Sequence, residues 1–368
     1  MNRFTYYNPV KLLFGRGRID QLSLECPADA IERIMLVTDP DSGRLSGALE
    51  AVRAELTDRE LFLFDEVMEN PSYEIVDKGA AQAIDNDIEL VIGIGGGSAM
   101  DAAKGIALAS RQSSPIRDYV EGRELDDLPL PIICIPTTAG TGSEVTPFAV
   151  FTDQDKHIKT GYESNLIYPI LAIVDPVFCD TMPRPLALHT GLDVLTHAVE
   201  AYLSTVCNPM AEALALEALT AVLAHLEAAL NGDQQARDTM AWASSQAGLA
   251  ISQKSTILLH IMAYPLTHHH QLPHGLANAL LLPAVMEFLK TKGSCPEKMQ
   301  RIEAAFQSRG GMRKYLEGLG LKLSLSSHGI SAKEFSLWAE QTLRKGDIAI
   351  TPAELDLERI INIYRNAL

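Results

Sequence analysis

Short apolar runs alternate with segments of helical spacing in the first half of the chain. Five runs have the length of a buried strand and end at glycine, proline or aspartate: residues 34–38, 61–64, 90–95, 130–135 and 171–174. Helical spacing predicts helices over residues 73–86 and 100–109, and residues 4–14 resemble a strand or hairpin. Strands separated by helices in this way predict an α/β domain with a largely parallel sheet, which we place at residues 1–182.

The pattern changes after the Met182-Pro183-Arg184-Pro185 stretch. Apolar residues then recur at helical spacing, and no further strand is predicted. Six helices are expected in this half: residues 210–230, 239–260, 276–290, 296–309, 331–343 and 352–366. Pro265 is expected to break or kink the chain after the second of them. We therefore predict an all-helical domain over residues 183–368, with a ligand site in the cleft between the two domains.

Composition narrows the class of protein. A length of 368 residues suits two domains, and the apolar fraction of 47% with 21% charged residues is typical of a soluble globular protein. A net charge of −16 disfavours binding to nucleic acid or to an anionic membrane surface. No apolar run is expected to reach membrane-spanning length, and no signal peptide is expected. The five cysteines share no metal-binding spacing, which favours reduced thiols in the cytoplasm.

Histidines are concentrated in residues 259–278, which contain half of the ten in the chain: His260, His268, His269, His270 and His274. Neutral imidazole is the commonest protein ligand for a transition metal, although a run of histidines can also form a solvated loop. Asp193 and His197 are four residues apart, so on a helix their side chains share one face. Together these residues predict a metal site formed by Asp193, His197, His260 and His274.

A glycine turn follows the predicted strand at residues 90–95. Gly95, Gly96 and Gly97 would let the backbone approach a phosphate closely, and the next helix would offer its free N–H groups to that anion. Ser98 fits the N-cap of this helix, with Asp101 as its partner in a capping box. The turn lacks the G-x-G-x-x-G fingerprint, so a purely structural turn is the alternative. The succession of strand, glycines and capped helix favours pyrophosphate binding.

Five motifs occur in order along the chain and together resemble the iron-dependent (group III) alcohol dehydrogenase family. They lie at residues 95–104, 136–146 and 193–197, at His260, and at residues 273–279. The resemblance covers nearly the whole chain. It implies a dehydroquinate synthase-like fold, with an α/β dinucleotide-binding domain followed by an all-helical metal-binding domain. It also implies a bound Fe²⁺, with Zn²⁺ as the alternative, and a homodimer or larger homo-oligomer.

The resemblance also assigns residues to a nicotinamide cofactor. Asp39 ends a predicted strand, where its carboxylate could bind the adenosine ribose and repel the 2′-phosphate of NADP. Local sequence alone leaves Asp39 equally open to a role in a turn or helix cap, and the family pattern favours NAD selection. The resemblance places ten residues at the cofactor, in the expected cleft between the two domains: Asp39, Gly95, Gly96, Gly97, Ser98, Asp101, Thr137, Thr138, Thr141 and Lys159.

One position departs from the family pattern. Relatives commonly have a second histidine one helical turn after the metal-binding histidine, whereas this chain has Tyr264. Three alternatives follow: Tyr264 transfers protons itself, a loop histidine such as His270 does so, or the enzyme is slow or selective for an unusual substrate. Alignment with the family also places Phe148 and Ile251 in the substrate pocket, where two apolar side chains would favour an uncharged or mildly polar substrate.

The expected activity is that of a metal-dependent alcohol dehydrogenase or aldehyde reductase. Three imidazoles and a carboxylate, with no cysteine, suit a catalytic divalent metal that polarises the carbonyl while hydride passes to or from the nicotinamide. A glycerol dehydrogenase-like or dehydroquinate synthase-like enzyme on the same fold is the first alternative. The second alternative is a metal- and nucleotide-binding protein of low turnover, because Tyr264 replaces the usual histidine.

Overall fold

The computed structural model describes residues 3–26, 31–156, 158–253 and 256–368. Its first part contains strands and short helices, and its second part is helical. The strands formed by the described residues are β1 (Lys11–Phe14), β2 (Arg33–Val37), β3 (Glu60–Phe64), β4 (Leu90–Gly95), β5 (Ile132–Pro136), β6 (Phe148–Asp153), β7 (Ile158–Glu163) and β8 (Leu171–Val174).

Six strands form one sheet in the order β1-β8-β5-β4-β2-β3, and every neighbouring pair is parallel. The predicted parallel sheet is therefore confirmed. Residues on β2 alternate between two buried layers, with Met35 and Val37 on one face and Ile34 and Leu36 on the other. Both faces are covered, as continuous apolar runs require. Gly95 at the end of β4 pairs with Pro136 at the end of β5, so the loops that follow these strands begin side by side.

The helices of this part are short, apart from two that pack together on one face of the sheet. In chain order they are α1 (Leu22–Glu25), α2 (Ser42–Leu45), α3 (Ala48–Glu55), α4 (Tyr73–Asp85), α5 (Gly97–Ala109) and α6 (Ile116–Val120). Ser72 caps α4 by accepting from the Ile75 amide at 3.4 Å. The apolar side chains of α4 and α5 fill the buried layer between these helices and the sheet.

The antiparallel hairpin of β6 and β7 was not predicted. Alternate residues of β6 are buried, and Phe151 packs against Gly105 of α5, where an added Cβ would lie 2.8 Å from the ring. The β7 sequence Ile-Lys-Thr-Gly-Tyr-Glu is largely polar and gives no apolar run. Backbone pairing with β6 and packing on α5 stabilise this hairpin, and neither can be read from a hydrophobic pattern alone.

The second part is helical in its described residues, as predicted. Its helices are α7 (Arg184–Leu203), α8 (Pro209–Leu230), α9 (Gln234–Ile251), α10 (Leu258–His270), α11 (His274–Lys292), α12 (Pro296–Gln307), α13 (Met312–Gly318), α14 (Phe335–Leu343) and α15 (Leu357–Ala367). Asn208 caps α8 through the amides of Met210 and Ala211, at 3.1 and 3.0 Å. The domain boundary between residues 182 and 183 remains a prediction.

The helical part departs from the expectations at two places. The single helix over residues 239–260 is divided, because α9 ends at Ile251 and α10 begins at Leu258. A polar stretch interrupts the apolar pattern there, and residues 254 and 255 lie outside the described part. Pro265 does not end α10, which continues to His270 and stops at Gln271 in a left-handed conformation (φ 53°). Pro265 and Leu266 are buried, so packing outweighs the hydrogen bond lost at proline.

Helix α8 corrects the expectation about membrane-spanning length. Its 22 residues are long and apolar enough to cross a membrane by length and composition. One side of α8 is buried in the helical core through residues such as Leu219 and Val222, and the helix packs on α7 and α9. A core helix of a folded protein meets the same criterion, so the observation is weak evidence for a membrane span.

Ion pairs connect the two parts beside the sheet. Arg16 lies in the glycine turn after β1 and contacts the Asp180 carboxylate at 2.8 Å. The same guanidinium reaches Asp238 of α9 at 2.6 Å. A planar guanidinium that binds two carboxylates holds both in a defined geometry. This contact connects the turn after β1 to α9 of the helical part.

Candidate metal centre and dinucleotide cleft

Three of the predicted metal ligands come together where α7, α10 and α11 meet. Candidate ligand atoms of Asp193, His260 and His274 all lie within 4.8 Å of one another. His260 Nε2 is 3.5 Å and His274 Nε2 is 3.9 Å from Asp193 Oδ1. Each of these residues lies on a different helix. One carboxylate and two imidazoles at this spacing can converge on a single cation.

The fourth predicted ligand, His197, lies beside this cluster one turn after Asp193. Its Nδ1 is 4.0 Å from Asp193 Oδ2, and its ring stacks on that of His260 with centroids 4.5 Å apart. His197 Nδ1 is buried and has no hydrogen-bond partner. An unpaired buried ring nitrogen is costly, and a cation would satisfy it. This geometry is compatible with His197 as a fourth ligand.

The charges at the cluster favour a positive group. Burial would raise the pKa of Asp193, but the neighbouring imidazoles of His197, His274 and His260 outweigh it and lower that pKa. Burial lowers the pKa of His274 to about 3, which favours the neutral form of this ring. Burial also acts to lower the pKa of His260, but the carboxylates of Glu200 and Asp193 raise it to about 9. Two buried carboxylates therefore flank His260 and draw a cation into the cluster.

Asn278 of α11 adds a fifth polar side chain. Its Nδ2 lies 3.0 Å from His260 Nε2, 3.3 Å from His274 Nε2 and 3.2 Å from Asp193 Oδ1. The Asn278 side chain is fully buried, and its Oδ1 has no hydrogen-bond partner. All three candidate ligand atoms therefore lie within 3.3 Å of one point, the Asn278 Nδ2 atom. Nitrogen and oxygen donors in this arrangement fit Fe²⁺ or Zn²⁺.

Glu200 was not among the predicted site residues, although its position carried a signal. It follows Asp193 and His197 at seven and three residues, so all three lie on one face of α7. Its Oε2 contacts His260 Nδ1, and the side chain is almost completely buried. The sequence D-x-x-x-H-x-x-E could therefore have identified Glu200 as a partner of the metal ligands.

The two candidate proton donors occupy different places on α10. The ring of Tyr264 stacks on that of His274, with centroids 5.9 Å apart, which brings Tyr264 to the cluster. His270 Nε2 instead lies 3.2 Å from Glu334 Oε2, and its ring packs against Trp338. Ten residues separate His270 from His260, which is about 15 Å along the helix axis. The structure does not bring His270 to the predicted metal ligands.

The glycine turn packs tightly against the loop after β5. Gly95 has φ of +148°, and a Cβ on Gly97 would lie 2.7 Å from Thr141. The backbone conformation at Gly95 and the packing at Gly97 therefore require glycine even without a ligand. Gly96 differs, because its φ is −78° and a Cβ would be 3.4 Å from Thr138, an ordinary contact. The missing side chain at Gly96 leaves room for a ligand at the N-terminus of α5, which suits a phosphate group.

The capping box predicted for Ser98 and Asp101 is wrong. Gly96 is the N-cap of α5, and the Ser98 hydroxyl accepts from the Asn70 amide at 3.1 Å. Asp101 accepts from Ser143 Oγ at 2.7 Å and from the Val150 amide at 3.0 Å. These long-range partners hold Asp101 away from the cap. Contacts of Ser98 and Asp101 with a cofactor remain predictions.

Lys104 completes the same network inside the protein. Its Nζ donates to the carbonyl oxygens of Ser143, Thr146 and Phe148 at 2.7, 3.0 and 2.8 Å. The side chain is fully buried, and burial lowers its pKa while the carboxylate of Asp101 opposes this. Lys104 therefore fixes the chain between the β5 loop and β6.

The threonines predicted to line the cleft lie in this loop. The Thr137 amide donates to the Gly95 carbonyl at 2.9 Å, and Thr137 Oγ1 is buried without a hydrogen-bond partner. Thr138 is next to Gly96, and Thr141 Oγ1 accepts from the Ser143 amide at 3.3 Å. The loop thus places its hydroxyl groups against the glycine turn.

Asp39 caps a turn and also lies beside the glycine turn, so its role at the cofactor remains a prediction. Its Oδ1 accepts from the amides of Asp41 and Ser42 at 3.0 and 2.6 Å, so it caps the turn that begins α2. Its Oδ2 also lies 3.3 Å from the position of a Cβ on Gly95, next to the glycine turn. The side chain is partly exposed. The same Oδ2 accepts from the Ser42 hydroxyl, so Asp39 holds the start of α2 next to the glycine turn.

The other predicted residues are spread around the cleft. Burial lowers the pKa of Lys159 on β7 to about 8, and the charges of Glu69 and Asp193 oppose this, so Lys159 lies within electrostatic range of the cluster. Phe148 is half-buried at the start of β6, and Ile251 is buried in the helical core at the end of α9. A role of Phe148 and Ile251 in substrate binding remains a prediction.

Comparison with known proteins covers both parts of the chain. The family model described as iron-containing alcohol dehydrogenase matches residues 9–176. The model of the C-terminal part of the Fe-containing alcohol dehydrogenase family matches residues 187–368. These matches favour this branch over the dehydroquinate synthase-like alternative.

Individual relatives match along their length. Alcohol dehydrogenase 4 of Schizosaccharomyces pombe is 33% identical, with 99% of this chain and 89% of that protein covered. An iron-containing alcohol dehydrogenase structure from Thermotoga maritima is 35% identical, with a TM-score of 0.89 over 100% of this chain and 99% of that one. Sulfoacetaldehyde reductase from Bifidobacterium kashiwanohense, solved in complex with NAD⁺, is 28% identical, with a TM-score of 0.91 and coverage of 100% and 99%. With both parts matched by family models, the chain belongs to the iron-containing alcohol dehydrogenase family.

Proposed function

We propose that this alcohol dehydrogenase interconverts a small, uncharged or mildly polar alcohol and its aldehyde, with NAD as the preferred cofactor and Fe²⁺ as the preferred metal. The observation that carries the proposal is the convergence of Asp193, His260 and His274 within 4.8 Å. His197 stands beside them as the fourth candidate ligand. A carboxylate with imidazole nitrogens suits a catalytic divalent metal.

The residues of the chain have separable tasks in this proposal. When bound, the metal supplies a Lewis acid and the nicotinamide accepts or donates the hydride. The backbone at Gly96 holds the pyrophosphate at the N-terminus of α5. Tyr264 stacks on His274, and its phenol hydroxyl is our candidate to hold or move a proton at the substrate oxygen. Phe148 and Ile251 are our candidates to shape the apolar side of the substrate pocket.

The preference for NAD is proposed from Asp39. Its carboxylate lies beside Gly95, near the proposed pyrophosphate site. A carboxylate there accepts from the ribose hydroxyls of NAD and repels the 2′-phosphate of NADP.

We also propose a cellular location, the classes of partner that are disfavoured, and an oligomeric state. The five cysteines are free, which agrees with a reducing cytoplasm, and a net charge of −16 disfavours nucleic acid and anionic membranes as partners. Strand β1 lies at the edge of the sheet, where a second copy of the chain could pair. We propose a homodimer or larger homo-oligomer on this basis.

Metal analysis combined with an alcohol panel tests the function. The purified protein is expected to contain iron, or to bind added Fe²⁺ or Zn²⁺, and to form NADH from at least one small alcohol at high pH. NADP is expected to support a lower rate than NAD. A synthase would return NAD unchanged after each turnover. Bound metal without turnover of any alcohol or aldehyde would instead indicate a binding protein.

The Gly96→Ala variant tests the proposed phosphate site. Because the added Cβ meets only an ordinary contact with Thr138, we expect unchanged thermal stability. The methyl group would occupy the space left for the pyrophosphate, so the Kd of NADH measured by fluorescence titration should rise about tenfold, or about 1.4 kcal/mol. Gly97→Ala is the contrasting variant, since its Cβ would lie 2.7 Å from Thr141 and should lower stability. Unchanged NADH affinity in Gly96→Ala would place the pyrophosphate elsewhere.

A further inference from the structure

The two carboxylate oxygens of Glu200 have different partners: one caps a helix and the other contacts a histidine ring nitrogen. Its Oε1 accepts from the amides of Ile257, Leu259 and His260 at 3.0, 2.9 and 3.4 Å. These amides lie at the N-terminus of α10, where helix N–H groups have no partner within the helix. The other oxygen, Oε2, contacts His260 Nδ1. With 1% of its surface exposed, Glu200 makes both contacts without competition from water.

The contact with Oε2 determines which nitrogen of His260 carries a proton. An ionised carboxylate only accepts hydrogen bonds, so the His260 ring must donate through Nδ1–H. In the neutral ring, Nε2 is then unprotonated. Nε2 is the atom that faces Asp193 Oδ1 at 3.5 Å, on the side of the candidate metal. A histidine binds a metal only through an unprotonated nitrogen, and a carboxylate on its other nitrogen fixes the required tautomer.

We propose that Glu200 is a positioning residue that holds His260 in the Nδ1–H tautomer and thereby sets the affinity of the site for its metal. This inference rests on the proposed metal-dependent function. A purely structural role as the cap of α10 is the competing explanation. The two roles use different oxygens of one carboxylate, so two conservative substitutions can separate them.

Glu200→Gln keeps the cap and inverts the tautomer. The amide oxygen must face the three backbone N–H groups, which leaves the NH₂ group facing His260 Nδ1. Because that NH₂ donates, Nδ1 must accept, and the proton moves to Nε2, where it blocks the metal. Glu200→Asp has the opposite effect: it keeps a carboxylate that accepts from Nδ1–H, but its shorter side chain weakens the cap.

Zn²⁺ affinity, measured by competition with a chromophoric chelator, tests the proposal together with the Co²⁺ absorption spectrum and the melting temperature. For Glu200→Gln we expect a 10- to 100-fold loss of Zn²⁺ affinity, roughly the effect of losing such a partner, a changed Co²⁺ spectrum and a small change in melting temperature. Glu200→Asp should bind Zn²⁺ more tightly than Glu200→Gln while melting at a lower temperature. Glu212→Gln removes a charge from the surface pair with Lys298 and should leave Zn²⁺ affinity unchanged.

The opposite order would overturn the tautomer role. If Glu200→Gln binds Zn²⁺ like the unchanged protein, or more tightly than Glu200→Asp, Glu200 is only a cap. If the unchanged protein binds neither Zn²⁺ nor Co²⁺, the ligand set itself is wrong and the proposed function fails as well. Should Glu200→Gln not fold, long-range ¹⁵N–¹H correlations of the metal-free unchanged protein, recorded at a pH where the His260 ring is neutral, decide. They should show the His260 proton on Nδ1, and a proton on Nε2 would refute the proposal.

Discussion

Replacing His260 with alanine is expected to abolish retention of the metal and to lower kcat/KM by at least about 1000-fold. His260 contributes the ring nitrogen nearest to Asp193 in the cluster, at 3.5 Å. Loss of the Lewis acid removes several kcal/mol of transition-state stabilisation, and about 4 kcal/mol corresponds to this factor. Metal content by elemental analysis and steady-state kinetics with added Fe²⁺ or Zn²⁺ measure the two effects.

The stability of His260→Ala should change much less than its activity. The substitution leaves Glu200 Oε2 buried without its partner, which costs about 1–3 kcal/mol. The sheet and its cofactor cleft lie in the other part of the chain, so NADH binding should persist. His225→Ala, a half-buried histidine of α8, is the control and should retain both metal and activity. If His260→Ala kept its metal and full activity, the ligand set inferred from the three helices would be refuted.

Much of the metal centre could be predicted, because two of its candidate ligands occur at helical spacing in the sequence. Asp193 and His197 are four residues apart and therefore share one face of α7, and the concentration of histidines in residues 259–278 added His260 and His274. The parallel sheet could also be predicted, because strands buried on both faces appear as continuous apolar runs. The ends of β4 and β5 then placed the glycine turn and the threonine loop next to each other.

Residues that act through contacts distant in sequence were harder to predict. Asp101 fits a local capping box, but Ser143 and Val150 bind it instead. His270 is near Tyr264 in sequence, yet the rise of α10 carries it to Glu334. In both cases a local rule was overridden by a partner that only the tertiary structure supplies.

Glycine at position 275 is the other substitution site with a large expected effect. Gly275 follows His274 at the start of α11, where this helix crosses α7. A Cβ at Gly275 would overlap the carbonyl oxygen of His189 and lie 2.9 Å from the amide nitrogen of Asp193. Both neighbours are backbone atoms of a helix and cannot rotate away as a side chain could.

We expect Gly275→Ala to weaken both the fold and the metal site. Relief of the overlap requires α11 to move away from α7, which separates His274 from Asp193, now 3.9 Å apart. Metal sites tolerate deviations of only about 0.2 Å in ligand distances, so Zn²⁺ affinity should fall by at least about tenfold. Overpacking of this kind costs about 1–3 kcal/mol, which exceeds the gain of up to about 1 kcal/mol from helix propensity.

Urea unfolding in the presence of a chelator measures the stability change of Gly275→Ala without any contribution from metal. Gly318→Ala in α13 is the matched control, because no atom lies within 4 Å of its added Cβ. That variant should be neutral or up to about 1 kcal/mol more stable, since alanine favours a helix over glycine. Wild-type stability and Zn²⁺ affinity in Gly275→Ala would contradict the close contact of α7 and α11. The distance between Asp193 and His274 would then depend on something other than this glycine.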